Sequence, residues 1–575
     1  MAATSDDIHR VLNPEFLDTV LTDLHSHKDE WATLPVSDRL DLLLQLREGV
    51  KEHASEWVEA AARAKNLDLS DNLVSEEWGT GPYVFTCGVN ALMETLTSLK
   101  NGETRLPKRL RTREDEQVIA QVFPDNICDS ILMNGVTAEV WMDRGVTEEN
   151  LVEHTASFYK EEHPKGNVCL VLGAGNITSI CALDILYMLY AKGYVVVAKL
   201  NVVNDSIFPA MEKVWKPFID AGYLRIVCGD VDVGKYLTDH EMVEAIHMTG
   251  SGKTHDAIVF GVGEEGTRRK SENKARLNKM VTSELGGVGA VIVVPGPWTN
   301  ADIEYQAEHI ATMKLHNTGC NCVAAQVVTL PRTWPKSEAL VESIRGWFRK
   351  IPERAQYYPG AEERLQEAIS KADHSEVING RALMTDLDSK QVDQYAFHNE
   401  VFTTALGQTY LEGEDLKGYI ENAVDFVNER LEGTLGVQLL IHPKTMKELG
   451  DEFENYLAKL KFGAIGVNCW NAMAFSIPQC TWGAYAGGQT LDNVESGIGV
   501  VHNSYLFDKS QKSVVYAPFW EAPRGFLHGQ FKMFPKPGWF VTNKTSLPAM
   551  KKMTDFSFDP RLVRLPGLFA AALRG

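Results

Sequence analysis

Between Asn167 and Met248 the chain alternates short apolar runs with segments of helical period, and this rhythm most restricts the fold. Val168 to Leu172 is wholly apolar, and Gly173-Ala174-Gly175-Asn176 follows as a turn. Helical spacing then runs from Ser179 to Lys192, an apolar run from Tyr194 to Lys199, and helical spacing again from Pro209 to Ala221. Two further runs follow, Leu224 to Cys228 and Ala245 to Met248. Continuous apolar runs of this length suit strands covered on both faces. Their alternation with helices calls for a mostly parallel sheet with right-handed crossovers. Ligands on such sheets sit at the carboxyl ends of the strands, so the turn at 173–176 faces a cofactor position.

Upstream, Val36 to Lys65 has helical spacing in Leu40, Leu43, Leu44 and Val50 and again in Trp57, Ala60 and Ala61. It reads as a surface helical pair with Ser37 as N-cap. The runs at 118–120 and 138–142 suit an extended β arm or a sheet edge. In the second half, strands are expected at 290–294, 325–330, 436–441 and 464–468, and helices at 301–314, 337–350 and 416–431. Residues 483–499 are glycine-rich and read as a loop near a site or an interface. From Val515 onward aromatics and prolines accumulate, among them Phe519, Trp520, Phe526, Phe531, Phe534, Trp539 and Phe540. This tail is expected to pack on the body or on a neighbouring subunit rather than on a membrane surface.

With 575 residues the chain can form more than one domain. Its net charge of −20 argues against nucleic acid or an anionic membrane as main partner. Nine cysteines at irregular spacing suit reduced intracellular thiols rather than a disulfide framework. No apolar run reaches the length of a membrane span, and the first residues lack the pattern of a signal peptide, so a cytoplasmic enzyme is expected.

Three glycine-rich turns bear on phosphate binding. Gly173 to Thr178 begins like a dinucleotide fingerprint but has Thr178 in place of the third glycine. Gly261-Val262-Gly263-Glu264-Glu265-Gly266 fits the letters, yet its two glutamates would face the phosphates, so it reads as a polar turn. Thr249-Gly250-Ser251-Gly252-Lys253-Thr254 resembles a P-loop with His247 in place of the first glycine. A small-residue turn after a strand still suits a diphosphate.

The residues that carry chemistry lie between Glu284 and Cys322. Glu284-Leu285-Gly286-Gly287 opens this stretch and Asn317-Thr318-Gly319-Cys320-Asn321-Cys322 closes it, 38 positions separating carboxylate from thiol. A thiol and a carboxylate, each beside glycines, suit attack on a carbonyl and handling of a proton or water. His316, Cys320 and Cys322 offer no evident fourth ligand, so no metal is expected.

On these residues the chain resembles the aldehyde dehydrogenase superfamily, whose motifs are Glu-Leu-Gly-Gly and Asn-x-Gly-Gln-x-Cys. Further pieces match in order: Asn176, Val197-Ala198-Lys199, Thr249-Gly250-Ser251 and Glu400-Val401-Phe402. The likeness spans roughly residues 30 to 510. It implies a Rossmann-like parallel-sheet cofactor domain, a second α/β catalytic domain and a β arm for oligomerisation. The boundaries expected are 1–283 for the N-terminal helices and cofactor domain, with the arm near 115–145, and 284–460 for the catalytic domain. Residues 461–514 would return to the cofactor domain and arm, and 515–575 form an extension. The resemblance implies Cys322 as nucleophile, Glu284 as general base, and Asn176 with the Cys322 amide as oxyanion donors. Lys199, Gly250, Ser251, Glu400 and Phe402 would bind NAD or NADP. The substrate would be a small-molecule aldehyde and the assembly a homodimer or homotetramer.

The sequence also departs from the family pattern. Cys320 replaces the glutamine and could form a reversible disulfide with Cys322. Gly173-Ala174-Gly175 replaces Pro-Trp and implies a wider entrance near Asn176. Val202 stands where an acidic residue would repel a 2′-phosphate, so NADP is expected to be accepted and even favoured. Arg268, Arg269 and Lys270 could reach that phosphate, although solvent is their simpler environment. These departures keep open a coenzyme A-acylating or acyl-reducing relative, and a non-catalytic binding relative.

Overall fold

The computed structural model describes residues 11–530, 536–573 and 575. Phe531 and Phe534 of the aromatic tail lie outside them. Two sheets organise the molecule. The smaller has six strands in the order Gly497–Ile498, Met280–Leu285, Ala245–Gly250, Val168–Leu172, Val195–Lys199 and Leu224–Val227. All its pairings are parallel except that of the short strand Gly497–Ile498. Every residue from Val195 to Lys199 is buried, which explains the unbroken apolar run. This is the Rossmann-like cofactor domain.

The larger sheet has eleven strands. Its centre is parallel, with Gly289–Val293 between Gly436–Leu440 and Ala325–Pro331. Ala464–Val467 extends it on one side and Ala405–Leu411 on the other. Past Ala464–Val467, the strand Ser510–Tyr516 pairs antiparallel with Thr137–Met142, and Val118–Phe123 and Arg109–Thr112 complete that flank. The expected β arm is therefore continuous with the second α/β domain. Its outermost strand, Arg109–Thr112, is largely exposed and forms the sheet edge.

Several local expectations are corrected. Val36–Ala64 is one continuous helix, not a pair: no proline lies within it, and its single glycine, Gly49, does not break the buried stripe from Leu43 to Ala62. Pro35, not Ser37, occupies its N-cap, and the Ser37 hydroxyl bonds its neighbour Asp38 at 3.0 Å. The helix expected at 209–221 breaks at Trp215 into Phe208–Val214 and Lys216–Asp220, since Pro217 offers no amide to carry it on. The polar turn expected at 261–266 instead leads into a helix, Gly263–Ser271. Its glutamates occupy the first turn and its arginines and lysine the last, which complements the helix dipole.

The tail packs on the body. The Trp520 indole donates to Asp302 at 2.8 Å, and Lys536 pairs with Glu308 at 2.6 Å, both on the helix Asn300–Leu315. Trp539 lies 5.5 Å from Trp470, which in turn lies edge-on to His316 at 5.2 Å. The helix Ser546–Phe558 then crosses to the helical turn Ser75–Trp78, where Ser75 and Ser546 hydroxyls meet at 2.8 Å. Among the described residues no helix is long and apolar enough to cross a membrane.

Candidate active site

Glu284 is the penultimate residue of the strand Met280–Leu285, at the carboxyl edge of the smaller sheet where the topology places ligands. Gly497 pairs directly with it, and a side chain at Gly497 would overlap the Ser283 carbonyl. The glycine-rich segment is thus needed for close approach to the Glu284 strand. The Glu284 carboxylate is buried; Oε1 accepts the Trp482 indole N–H at 2.6 Å and Oε2 has no partner. Burial, reinforced by the Asp184 charge and opposed by the Trp482 hydrogen bond, lifts its pKa to about 8.

Cys322 follows the helix Asn300–Leu315 through a strained loop. Asn317, Thr318 and Gly319 have φ of +53°, +54° and +76°. Left-handed geometry costs a β-branched residue such as Thr318 about 1–2 kcal/mol. Buried side chains hold the turn: Asn317 donates from Nδ2 to the Cys320 carbonyl at 3.1 Å, and Asn321 from its Nδ2 to the His316 carbonyl at 2.9 Å. Cys322 itself is half-buried. Burial, with the Glu284 and Glu400 carboxylates adding to it, pushes its thiol well above the ordinary range. The thiol therefore carries its proton at neutral pH. Cys320 is fully buried and directs its thiol at the Phe402 carbonyl, 3.5 Å away. Both cysteines are free.

Asn176 brings the smaller sheet to this loop. It is buried, and its Nδ2 donates to the Cys320 carbonyl at 3.0 Å, two residues before Cys322. Asn176 thus adjoins the loop that carries Cys322, and the Glu284 carboxylate lies near enough for its charge to act on the Cys322 thiol.

Glu400 and Phe402 line another wall. A side chain on Gly286 would overlap the Glu400 carboxylate, so the Glu-Leu-Gly-Gly turn leaves room for it. Glu400 Oε1 is buried without a partner, and burial outweighs Lys314 and Arg364 to lift its pKa to about 8. Phe402 adopts φ +44° and lies edge-on to Tyr358 at 5.0 Å.

Lys199, Gly250 and Ser251 lie on the smaller sheet. Lys199 ends its strand nearly buried, 3.3 Å from the Leu200 carbonyl, with its pKa lowered by burial. Gly250 ends the strand Ala245–Gly250, and Ser251 caps the helix Gly252–Val259 by accepting the Thr254 amide at 3.2 Å. A side chain at Gly252 would meet open space, so a ligand can reach these amides. Val202 is 55% exposed. Arg268 is paired with Glu265 and Glu272, Arg269 with Glu265, and Lys270 with Asp256. The cations of the 268–270 run are thus committed to their own neighbourhood.

Sequence reasoning missed Trp482, the hydrogen-bond donor to Glu284. It also missed a buried charge cluster, Lys65, Glu76, Glu77 and Arg354, behind the Asn176 and Asn317 loops. The paired glutamates in Glu76-Glu77-Trp78 were a faint signal, because an acidic pair beside a tryptophan suits a half-covered surface as well as a core. Among the described residues no group of three or more His, Cys, Asp or Glu could hold a metal.

The model for the aldehyde dehydrogenase family matches residues 129–356. An aldehyde dehydrogenase of Craterostigma plantagineum is 22% identical over 430 residues, covering 71% of this chain and 81% of that protein. Aldehyde dehydrogenase 1 of Entamoeba histolytica is 25% identical, covering 61% of each chain. D-glyceraldehyde dehydrogenase (NADP(+)) of Picrophilus torridus is 32% identical over 116 residues, covering 19% of this chain and 20% of that protein. Among solved structures, the NADP-dependent glyceraldehyde-3-phosphate dehydrogenase of Bacillus halodurans with NADP shares the fold with a TM-score of 0.58. It is 16% identical and covers 88% of this chain and 92% of its own. A Pseudomonas syringae aldehyde dehydrogenase with NAD+ and octanal gives a TM-score of 0.56 at 15% identity, covering 89% and 90%. The chain is thus similar to aldehyde dehydrogenases over residues 129–356 and shares the fold of their solved structures.

Proposed function

We propose that this chain oxidises an aldehyde to a carboxylic acid with NAD or NADP as cofactor, through a covalent bond to Cys322. One observation supports this most: a half-buried thiol lies within electrostatic reach of two carboxylates, Glu284 and Glu400, each with a buried oxygen that no protein group satisfies. Such orphan oxygens in a crevice suit groups that handle substrate or cofactor.

The residues divide the work as follows. Cys322 Sγ bonds the aldehyde carbon and gives its proton to the Glu284 carboxylate. The carbonyl oxygen becomes an oxyanion, held by the Asn176 amide and the Cys322 backbone N–H. The nicotinamide, when bound, supplies the hydride acceptor that converts the thiohemiacetal to a thioester. Glu284, having released that proton to solvent, takes one from a water as that water attacks the thioester carbon. Cys322 leaves as thiolate and the acid is released. A base with a pKa of about 8 is matched to this work near neutrality.

The cofactor would meet Glu400, whose buried Oε1 no protein group satisfies, and the strand ends of the smaller sheet. Glu400 would take the nicotinamide ribose, with Phe402 beside the ring, and Lys199 the adenosine ribose. Gly250 and Ser251 would approach the diphosphate at a helix N-terminus. Val202 offers no charge to repel a 2′-phosphate, so NADP is accepted along with NAD. The exposed edge Arg109–Thr112 is the surface for a homodimer or homotetramer. The domain limits given above and a cytoplasmic setting belong to the same proposal.

The test follows nicotinamide absorbance with NAD and NADP over a panel of aliphatic and aromatic aldehydes, with and without coenzyme A. Wild type should turn over without coenzyme A, and Cys322→Ala should lose roughly 10⁴-fold or more in kcat. Strict dependence on coenzyme A, or unchanged turnover in Cys322→Ala, would sink the proposal.

A further inference from the structure

The mechanism above uses none of the four charges buried behind the Asn176 and Cys322 loops. Lys65 follows the helix Val36–Ala64 and is 3% exposed. Its ammonium donates to three acceptors: Glu77 Oε1 at 2.8 Å, the Asn176 carbonyl at 2.9 Å and Asn317 Oδ1 at 3.1 Å. These satisfy its full donor set. The Asn176 carbonyl also accepts Asn317 Nδ2 at 3.1 Å and the Tyr357 hydroxyl at 3.3 Å. On the other side Glu76 accepts Arg354 at 2.6 Å and the Asn317 backbone N–H at 3.3 Å. Burial pushes the Glu76 pKa up, but Arg354, with His316 and Lys65, holds it below the usual carboxylate range.

Burying charges is a poor route to stability, because desolvation offsets most of the attraction. What such a pair can do is fix registry. Here one ammonium bridges the loop that ends the first strand of the smaller sheet and the strained turn that leads to Cys322. Both loops carry the groups assigned to the oxyanion, and neither is rigid by its own sequence: one is glycine-rich, the other left-handed at three positions. A neutral side chain of similar length cannot supply three donors.

We propose that Lys65, with Glu77 as its counter-ion, is a positioning residue for the oxyanion site. It rests on the reading of Asn176 and Cys322 given above. Lys65 touches no reacting atom; it sets the distance between the Asn176 amide and the Cys322 backbone N–H. Misplacing a reacting group by about 1 Å costs on the order of 100-fold in rate.

The experiment compares full-length wild type, Lys65→Arg, and the double variant Lys65→Met with Glu77→Gln, which leaves no unpaired charge if the single Lys65→Met fails to fold. Steady-state kinetics and hydrogen exchange by mass spectrometry are read on each. The double variant should lose on the order of 100-fold in kcat, with KM for the cofactor within about twofold. Lys65→Arg should recover at least a tenth of wild-type kcat. Exchange should rise in peptides covering 173–178 and 316–322 while the strand 195–199 stays protected. A kcat within threefold of wild type overturns the proposal, as does equal loss in Lys65→Arg and the double variant, or unchanged exchange in both loops. If wild type oxidises no aldehyde, the functional reading falls and the exchange arm alone decides whether Lys65 fixes the two loops.

Discussion

Two buried pairs of glutamates lie on either side of the Asn176 and Cys322 loops and meet opposite fates. Glu284 and Glu400, in the crevice, each keep an oxygen without a partner and have pKa values lifted to about 8. Glu76 and Glu77, behind the loops, face Arg354 and Lys65 at 2.6 and 2.8 Å. The residue type is the same; what differs is that Arg354 and Lys65 lie within ion-pair distance of Glu76 and Glu77, whereas Lys314 and Arg364 act on Glu400 only weakly against burial and no cation offsets the burial of Glu284. An unpaired buried carboxylate holds its proton and can exchange it with a ligand, whereas a paired one keeps its charge and can anchor a neighbour. The comparison separates carboxylates left open to a ligand from carboxylates committed to the protein.

Glu284→Gln should break it most strongly. Hydrolysis should fall about 10²–10⁴-fold, and intact-mass measurement should show an acyl adduct on Cys322 after one turnover. Absence of the adduct together with normal turnover would remove Glu284 from the mechanism. Glu77→Gln should instead act on stability, because it strands the Lys65 ammonium; a loss of about 3–5 kcal/mol is expected by denaturant titration. A loss under about 1 kcal/mol would mean the pair is not isolated from solvent.

The pH dependence sharpens the contrast. The folded pKa of Glu284 lies above its ordinary value of 4.5, so the native state keeps the proton that the unfolded chain releases. The stability it contributes is complete below about 4.5 and is lost as pH rises through about 8, at about 1.4 kcal/mol per unit. Glu284→Gln should therefore flatten this slope, measured as melting temperature against pH, while hydrolysis in wild type rises through the same range. An identical slope in wild type and variant would refute the raised pKa. Trp482→Phe, which removes the donor that favours the charged form, should move the alkaline rise of hydrolysis upward by about one unit. The smallest effect is expected at Thr318→Gly, where relief of the left-handed strain offsets lost contacts to within about 1 kcal/mol.

Much of the fold was legible because its signals are local. Val168–Leu172 and Ser337–Lys350 fall where apolar runs and helical period put them, since each period reports which face the core covers. The break at Trp215 and the unbroken helix Val36–Ala64 were not, because proline position and long-range packing decide them. Of the candidate site, Glu284, Asn176 and Cys322 could be proposed from motifs beside glycines, whose small size permits close approach. Trp482 and Lys65 could not: an indole 198 positions from its carboxylate partner and a lysine 252 positions from Asn317 leave no mark of spacing or period. Partners of that kind exist only once the chain has folded.

The clasp between Ser546–Phe558 and Ser75–Trp78 bears on the order of events at the ribosome. Asn72 Nδ2 reaches Ser546 Oγ at 2.7 Å, 474 positions later in the chain, and the adjoining turn carries Glu76 and Glu77. Cys322 is translated long before that clasp can close. During the interval the loop leading to Cys322 lacks the outer brace on the turn that anchors it. A nascent chain would therefore emerge with the 317–322 turn made before the segment that braces the Ser75–Trp78 turn beside it.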